Sequence, residues 1–239
     1  MALLTVDNVR VEFGGIVALA DLSFDIDAGR ICALIGPNGA GKTTLFNCVS
    51  RLYEPNEGRI EFDGRDLLAL PAHRIARAGI SRTFQNLALF PALTVVQNVM
   101  VGAHSLRRTS RSSRVDALAL LERLGLADLA DHPAAGLPYG TLKRIEIARA
   151  LAARPRLLLL DEPAAGLTHS EVDELADLVR TIRADFDLTV LLVEHHMAMV
   201  MAISDQIVVL DFGSKIAEGL PEQIRDDPRV IEAYLGTPA

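Results

Sequence analysis

The chain has 239 residues, and its 24 basic and 31 acidic side chains give a net charge of −7. Half of the residues are hydrophobic, which argues against intrinsic disorder and predicts at least one full globular domain. The acidic balance argues against a dedicated nucleic-acid-binding protein, because such proteins usually carry a basic surface. The two cysteines, Cys32 and Cys48, lie among apolar residues and indicate reduced core thiols rather than a disulfide framework.

The sequence predicts neither a membrane span nor a signal peptide. The longest stretch without a charged residue, 83–106, is interrupted by proline and polar residues, so it lacks the roughly 20 consecutive apolar residues of a span. Asp7 and Arg10 come too early for the apolar core of a signal peptide. We therefore expect a soluble protein, or one that is peripheral to a larger assembly.

In chain order, the hydrophobic pattern predicts a strand-rich first part, a helical middle, and a last part in which strands and helices alternate. The first part is predicted to hold strands at 3–13, 18–27, 31–35, 59–64 and 80–84, and helices from Gly41 to about Leu52 and at 72–78. The middle is predicted to hold helices at 93–104, 115–125 and 141–153. The last part is predicted to hold strands at 156–160, 188–194 and 206–210, and helices at 171–185 and 197–203.

Alternation of this kind indicates an α/β fold with a mainly parallel sheet that is covered by helices. We predict one domain, 1–239, with a core formed by 1–85 and 155–239. The helical middle, 86–154, is predicted to be a sub-domain inserted into that core.

Residues 36–43 match the phosphate-binding loop pattern in full, between an apolar strand and a helix. Glycines let such a loop wrap phosphate groups and aim backbone N–H groups at them, and the helix N-terminus favours an anion. Lys42 would reach the β- and γ-phosphates, and the Thr43 hydroxyl would bind Mg²⁺. The predicted nucleotide contacts in this segment are Gly36, Pro37, Asn38, Gly39, Ala40, Gly41, Lys42, Thr43 and Thr44.

Two carboxylates follow the apolar run 157–160. A strand that ends in acidic residues places them at the edge of the sheet where α/β folds bind ligands. Asp161 is predicted to hold Mg²⁺ through water, and Glu162 to act as general base on the attacking water. The alternative is that these carboxylates cap a helix, but the phosphate-binding loop favours the catalytic interpretation.

Taken together, these motifs resemble an ATP-binding cassette (ABC) ATPase. The resemblance implies a P-loop NTPase core, in which a mainly parallel sheet is joined by an N-terminal antiparallel sub-sheet and a helical sub-domain is inserted. It also implies that Gln85 senses Mg²⁺ and the γ-phosphate, that His195 contacts the γ-phosphate, and that Phe13 lies under the adenine ring. The segments that carry the resemblance are 36–43, 82–85, 161–163 and 193–195.

The segment 137–141 corresponds to the signature loop of that family, and it retains only Leu137 and Gly140 of the general pattern Leu-Ser-Gly-Gly-Gln. The family's loop opens a helix that faces the γ-phosphate of a second subunit, which implies that Tyr139 and Gly140 contact nucleotide. Thr141 has the alternative interpretation of a helix cap. Thr168 and His196 stand where the family usually has Asp or Asn and Asp, respectively.

Five segments are further similar to the ATP-binding subunits of bacterial branched-chain amino-acid importers: 35–47, 82–85, 98–102, 138–140 and 230–236. This similarity implies a cytosolic subunit, peripheral on the inner face of the cell membrane, that couples ATP binding and hydrolysis to amino-acid uptake. The implied partners are a second ABC ATPase subunit, of the same or a different chain, transmembrane permease subunits, and indirectly a periplasmic or extracellular substrate-binding protein. Residues 86–91 would either line the permease contact or pack in the core.

Two alternative functions remain open on the sequence. One is the ATPase of a different ABC system, such as lipid or lipopolysaccharide export. The other is a regulatory subunit that binds nucleotide and hydrolyses it weakly; Pro138, Tyr139 and Thr141 favour this alternative, whereas Glu162 and His195 oppose it.

The charge is distributed unevenly along the chain. The window 67–115 contains seven arginines and no acidic residue, so the rest of the chain is strongly acidic. We interpret this window as a basic side that faces anionic lipid head groups, with a solvated loop as the alternative.

Overall fold

Two β-sheets and nine α-helices make up the part of the chain that the computed structural model describes, residues 2–84, 87–106 and 109–235. The strands are β1 (Ala2–Phe13), β2 (Ile16–Asp27), β3 (Ile31–Ile35), β4 (Glu57–Phe62), β5 (Arg65–Asp66), β6 (Ile80–Arg82), β7 (Leu157–Asp161), β8 (Thr189–Val193), β9 (Gln206–Asp211) and β10 (Ser214–Gly219). The helices are α1 (Lys42–Val49), α2 (Ile75–Ala78), α3 (Val95–Gly102), α4 (Ser110–Arg123), α5 (Tyr139–Leu151), α6 (His169–Asp185), α7 (Met197–Ile203), α8 (Pro221–Arg225) and α9 (Pro228–Leu235).

The larger sheet has the strand order β10-β9-β3-β8-β7-β6, and every neighbouring pair in it is parallel except β10 with β9. The smaller sheet has the order β2-β1-β4-β5 and is antiparallel throughout. The predicted α/β fold with a mainly parallel sheet and an N-terminal antiparallel sub-sheet is therefore confirmed.

The central strands β3, β7 and β8 are buried over their whole length. This explains why their sequences are unbroken apolar runs and do not alternate between apolar and polar residues. Successive residues of β7 point to opposite faces of the sheet. Leu158 and Leu160 pack with helices α3 to α6, whereas Leu157 and Leu159 pack with α1 and the antiparallel sheet. The predicted core thiols, Cys32 and Cys48, are both free and buried.

Several element boundaries differ from the prediction. The helix expected at 72–78 is a short 3₁₀ turn, Ala72–Arg74, that leads into α2. Helix α4 begins five residues earlier than expected, because the Thr109 hydroxyl accepts a hydrogen bond from the Ser112 N–H and caps it. The prediction missed β10, α8 and α9, since β10 is a half-exposed edge strand and α8 and α9 are helices of only five and eight residues. None of the described helices is long and apolar enough to cross a bilayer.

Helices α3, α4 and α5 pack together, and α3 approaches α5 very closely. A Cβ atom placed on Gly102, the last residue of α3, would lie 1.8 Å from the carbonyl oxygen of Arg149 in α5. Glycine at this position is therefore required by the distance between the two backbones, which no local pattern in the sequence reveals.

The buried carboxylate of Glu146 joins α5 to the segment that follows β6. Glu146 is 2% exposed and accepts a 3.1 Å hydrogen bond from the backbone N–H of Phe84. Its partner Arg149, whose guanidinium lies 3.6 Å from the carboxylate, also donates to the carbonyl oxygen of Ala88. Burial raises the pKa of Glu146, and the hydrogen bond from Phe84 and the charges of Lys143 and Arg149 oppose that shift. Helix α5 thus holds the chain on both sides of residues 85 and 86.

We expect Gly102→Ala to destabilise the protein. Alanine favours a helix by about 1 kcal/mol over glycine, but a methyl group this close to backbone forces α3 and α5 apart, and overpacking costs about 1–3 kcal/mol. Thermal unfolding checks this, with the exposed neighbour Val101→Ala as the control. A melting temperature of Gly102→Ala at or above that of the wild type contradicts the close packing of α3 on α5.

We expect the stability of Glu146→Gln relative to wild type to rise with pH. A carboxyl whose pKa is raised by folding gives stability that is complete below its ordinary value of 4.5 and is lost as the pH rises through the folded-state pKa. Glutamine keeps an acceptor for the Phe84 N–H and does not titrate. Urea unfolding at about pH 5 and about pH 7.5 measures the difference, with Glu122→Gln on the exposed side of α4 as the matched control.

Candidate active site

The phosphate-binding loop connects the buried end of β3 to the start of α1. Its glycines are required by close approaches: a Cβ on Gly36 would lie 2.0 Å from the Leu210 carbonyl oxygen, and one on Gly41 would lie 2.6 Å from the Ala18 carbonyl oxygen. Gly41 also has a φ of +101°, in the region that favours glycine. The loop backbone is therefore pressed against β2 and β9.

Lys42 is the first residue of α1, and its side chain folds back over the loop. The residue is 6% exposed, and its Nζ donates hydrogen bonds to the carbonyl oxygens of Gly36 at 2.7 Å and Pro37 at 2.9 Å. Burial lowers the pKa of Lys42, and the charge of Glu162 opposes that shift. The residue at the cap position, Gly41, has no side chain that could cap α1. The first N–H groups of the helix can therefore bind an anion together with the Lys42 ammonium group.

The register of β7 and β8 brings the acidic pair and the predicted switch histidine together. Asp161 pairs with Val193 across the two strands, so Glu162 and His195 leave the sheet at the same edge. The His195 Nε2 lies 2.7 Å from the Glu162 Oε1, and the Glu162 N–H donates to the Val193 carbonyl oxygen at 2.9 Å. This contact fixes the position of the Glu162 carboxylate relative to the His195 ring.

Glu194 is a structural residue of this edge that the sequence analysis did not single out. It is 3% exposed, and its two oxygens accept hydrogen bonds from the backbone N–H groups of Ala164 at 2.6 Å, His195 at 2.8 Å and His196 at 3.1 Å. A charged residue directly after an apolar strand was the only signal in the sequence. Glu194 ties the turn after β7 to the turn after β8, and so maintains the contact between Glu162 and His195.

Arg82 lies in the site and not on a basic side that faces lipid, so the prediction for this residue is wrong. Its side chain is 8% exposed, and its Nη2 lies 2.7 Å from the Asp161 Oδ2. The seven arginines of the window 67–115 therefore do not form one basic face. Among those that the structure describes, Arg114 pairs with Asp131 on the surface, whereas Arg107 and Arg108 lie outside the described residues.

The predicted adenine contact lies at the end of β1. Phe13 is 47% exposed, and its ring meets the Tyr53 ring edge to face, with 5.2 Å between the centroids. The hairpin after Phe13 leads into β2, which contacts Gly41 through Ala18. Tyr53 is thus an aromatic neighbour of Phe13 that the sequence analysis did not name.

The signature-loop residues lie on another part of the molecule. Tyr139 and Gly140 begin α5, and they lie beside Gly166 and Glu171 rather than beside the phosphate-binding loop. Tyr139 is exposed, and the Lys143 ammonium lies over its ring at 5.6 Å. The interpretation of Thr141 as a helix cap is wrong, because α5 begins two residues earlier, with Pro138 at the cap position.

Thr168 and His196 both begin helices. Thr168 caps α6 in a reciprocal arrangement with Glu171, in which each side chain bonds the other's backbone N–H. His196 precedes α7, and its ring lies 5.7 Å from that of His169. The predicted site residue Gln85 lies outside the described residues.

Residues 19–165 match the ABC transporter family, and residues 214–239 match the branched-chain amino acid ATP-binding cassette transporter family. The second match includes β10, α8 and α9, the elements that the hydrophobic pattern did not predict.

Similar proteins cover nearly the whole chain. The high-affinity branched-chain amino acid transport ATP-binding protein BraF of Pseudomonas aeruginosa is 44% identical over 98% of both chains. The corresponding protein LivG of Salmonella typhimurium is 43% identical over the same shares. The crystal structure of MJ1267, an ATP-binding cassette of an ABC transporter in its ADP conformation, is 30% identical and superposes with a TM-score of 0.90 over 99% of this chain and 100% of that one. This chain therefore belongs to the ABC transporter family and is an ATP-binding cassette ATPase.

Proposed function

We propose that this chain is the ATP-hydrolysing subunit of an importer for branched-chain or other hydrophobic amino acids. The observation that carries the proposal is the meeting of Lys42, Asp161, Glu162 and His195 at the carboxyl edge of one parallel sheet. The match of residues 214–239 to the branched-chain family and the names of BraF and LivG support the substrate class over lipid or lipopolysaccharide export.

Catalysis in this proposal depends on positioning and charge. The loop 36–44 binds the phosphates of ATP, and Lys42 neutralises the β- and γ-phosphates. In this proposal Glu162, whose Oε1 lies 2.7 Å from the His195 Nε2, accepts a proton from the attacking water. His195 is 44% exposed by its side chain and so can turn toward the γ-phosphate.

The residues present fit a magnesium ion. Mg²⁺ prefers hard oxygen ligands and is usually held by one or two carboxylates together with substrate phosphates. The Thr43 hydroxyl at the start of α1 and the Asp161 carboxylate at the end of β7 supply such oxygens, and Gln85 is a third proposed ligand outside the described part. When bound, the ion supplies positive charge to the phosphates.

The partners of this chain belong to the same proposal. A second ABC ATPase subunit, identical or different, would place its phosphates against Tyr139 and Gly140 at the exposed start of α5. Permease subunits would contact the region around 86–91, where Phe90 is 49% exposed while Leu89 packs against the helical core. In this proposal the subunit lies in the cytoplasm on the inner face of the membrane and is indirectly linked to a substrate-binding protein.

We expect Lys42→Ala to weaken nucleotide binding by at least about 10-fold, about 1.4 kcal/mol, because the ammonium group that faces the phosphates is lost. Titration with a fluorescent ATP analogue measures the affinity. The control is Arg59→Ala, which removes an exposed cation that pairs with Asp7 far from the loop. Unchanged affinity in Lys42→Ala contradicts the assignment of the phosphate-binding loop.

We expect Glu162→Gln to keep ATP binding and to lower turnover by at least about 10²-fold, because the amide cannot accept the proton of the attacking water. ATP hydrolysis by the assembled transporter measures turnover, with Glu122→Gln on the surface of α4 as the control. Full hydrolysis in Glu162→Gln removes Glu162 from the role of base. Background hydrolysis by the wild type in the assembled transporter favours the regulatory subunit instead.

A further inference from the structure

We infer that Arg82 is a positioning residue that sets Thr43 and Asp161, two of the residues proposed to hold Mg²⁺, relative to each other. Its guanidinium group bridges Asp161, at the end of β7, to helix α1, which carries Thr43. The inference rests on the proposed role of Mg²⁺ and adds to it a residue that contacts neither the ion nor the phosphates.

The bridge uses both terminal nitrogens of the arginine. The Nη2 donates to the Asp161 Oδ2 at 2.7 Å. The Nη1 donates to the Asn47 Oδ1 at 2.7 Å and to the Ser50 Oγ at 3.3 Å. One rigid, planar group therefore spans the gap between the acidic strand end and the helix.

Asn47, the residue of α1 to which Arg82 donates a hydrogen bond, lies on the same helix face as the proposed metal-binding residue Thr43. Asn47 follows Thr43 by four residues, and residues at that spacing lie on the same face of a helix. A hydrogen bond that fixes Asn47 therefore also restricts the position of Thr43, about one helical turn away. In this way the hydrogen bond from Arg82 to Asn47 couples the hydroxyl ligand to the carboxylate ligand.

The surroundings of Arg82 hold it in place. Its side chain is 8% exposed and that of Asp161 is 5% exposed. The guanidinium carbon lies 5.4 Å from the centroid of the Phe46 ring and 5.3 Å from that of Phe84. The Nε is buried without a hydrogen-bond partner in the described part of the chain, which is unfavourable for stability. A buried pair with this cost is better explained by a role in the site than by stabilisation alone.

Arg82→Lys tests the inference, because lysine keeps the positive charge but cannot reach both Asp161 and Asn47 with a planar fork. The purified full-length chain is titrated with a fluorescent ADP analogue, first in EDTA and then at rising Mg²⁺ concentration. We expect the affinity in EDTA to stay within about twofold of wild type and the half-saturating Mg²⁺ concentration to rise about 10-fold to 100-fold, the usual cost of losing an outer-shell partner.

Two further variants keep the test decisive. Asn47→Ala removes the anchor on α1 without touching the ion pair, and its half-saturating Mg²⁺ concentration should also rise while binding in EDTA is kept. Arg74→Lys, an exposed arginine of the same window, should behave as wild type. Thermal unfolding establishes that each variant is folded. If Arg82→Lys does not fold, the Mg²⁺ response of Asn47→Ala decides whether the inference holds.

The outcomes separate the inference from the function it rests on. A wild type whose nucleotide binding does not respond to Mg²⁺ overturns the proposed metal site, and with it the inference. A wild type that responds, with folded Arg82→Lys and Asn47→Ala variants that respond identically, overturns the inference alone. An equal loss of binding in EDTA and in Mg²⁺ also overturns it, since that result indicates a general structural role.

Discussion

The parallel register of β3, β8 and β7 is the constraint on which the rest of the site depends. Because parallel strands end at the same edge of a sheet, the phosphate-binding loop, Glu162 and His195 leave three neighbouring strands side by side. A slip of one residue between β7 and β8 would turn Asp161 toward the opposite face and separate Glu162 from His195. The apolar, fully buried strands oppose such a slip, since each residue packs in one of two distinct cores.

Buried charge maintains the geometry at this edge. Lys42, Asp161 and Glu194 are each almost inaccessible, and burying a charge is costly unless it is paired or hydrogen-bonded. Lys42 is satisfied by carbonyl oxygens of its own loop, Glu194 by three backbone N–H groups, and Asp161 by Arg82. Each of these groups therefore fixes the backbone of a segment at the proposed nucleotide site.

The helical segment is attached to this edge through α5. Glu146 and Arg149 bond the backbone at Phe84 and Ala88, and Phe84 also lies against Arg82. The helix that begins at the signature loop is thus connected, through Phe84 and Arg82, to the carboxylate at the end of β7. A partner bound at Tyr139, as proposed, would therefore be connected to the proposed metal-binding residues through α5.

The fold class, most of the elements, and the residues of the phosphate-binding loop and the acidic strand end can be predicted from the sequence, because they depend on local spacing. Local spacing also revealed the apolar cores of β3, β7 and β8. The pairing of Arg82 with Asp161, 79 residues away, and of Glu194 with Ala164, 30 residues away, becomes visible in the folded chain alone. In the sequence Arg82 is one of seven arginines in an apparently solvated window, and its burial follows from strand order, which brings β6 beside β7.

Gly102 is a similar case: an ordinary helical glycine in the sequence becomes a point of backbone contact only when α3 packs on α5. Pairings between distant segments depend on packing, which periodicity within one segment does not encode.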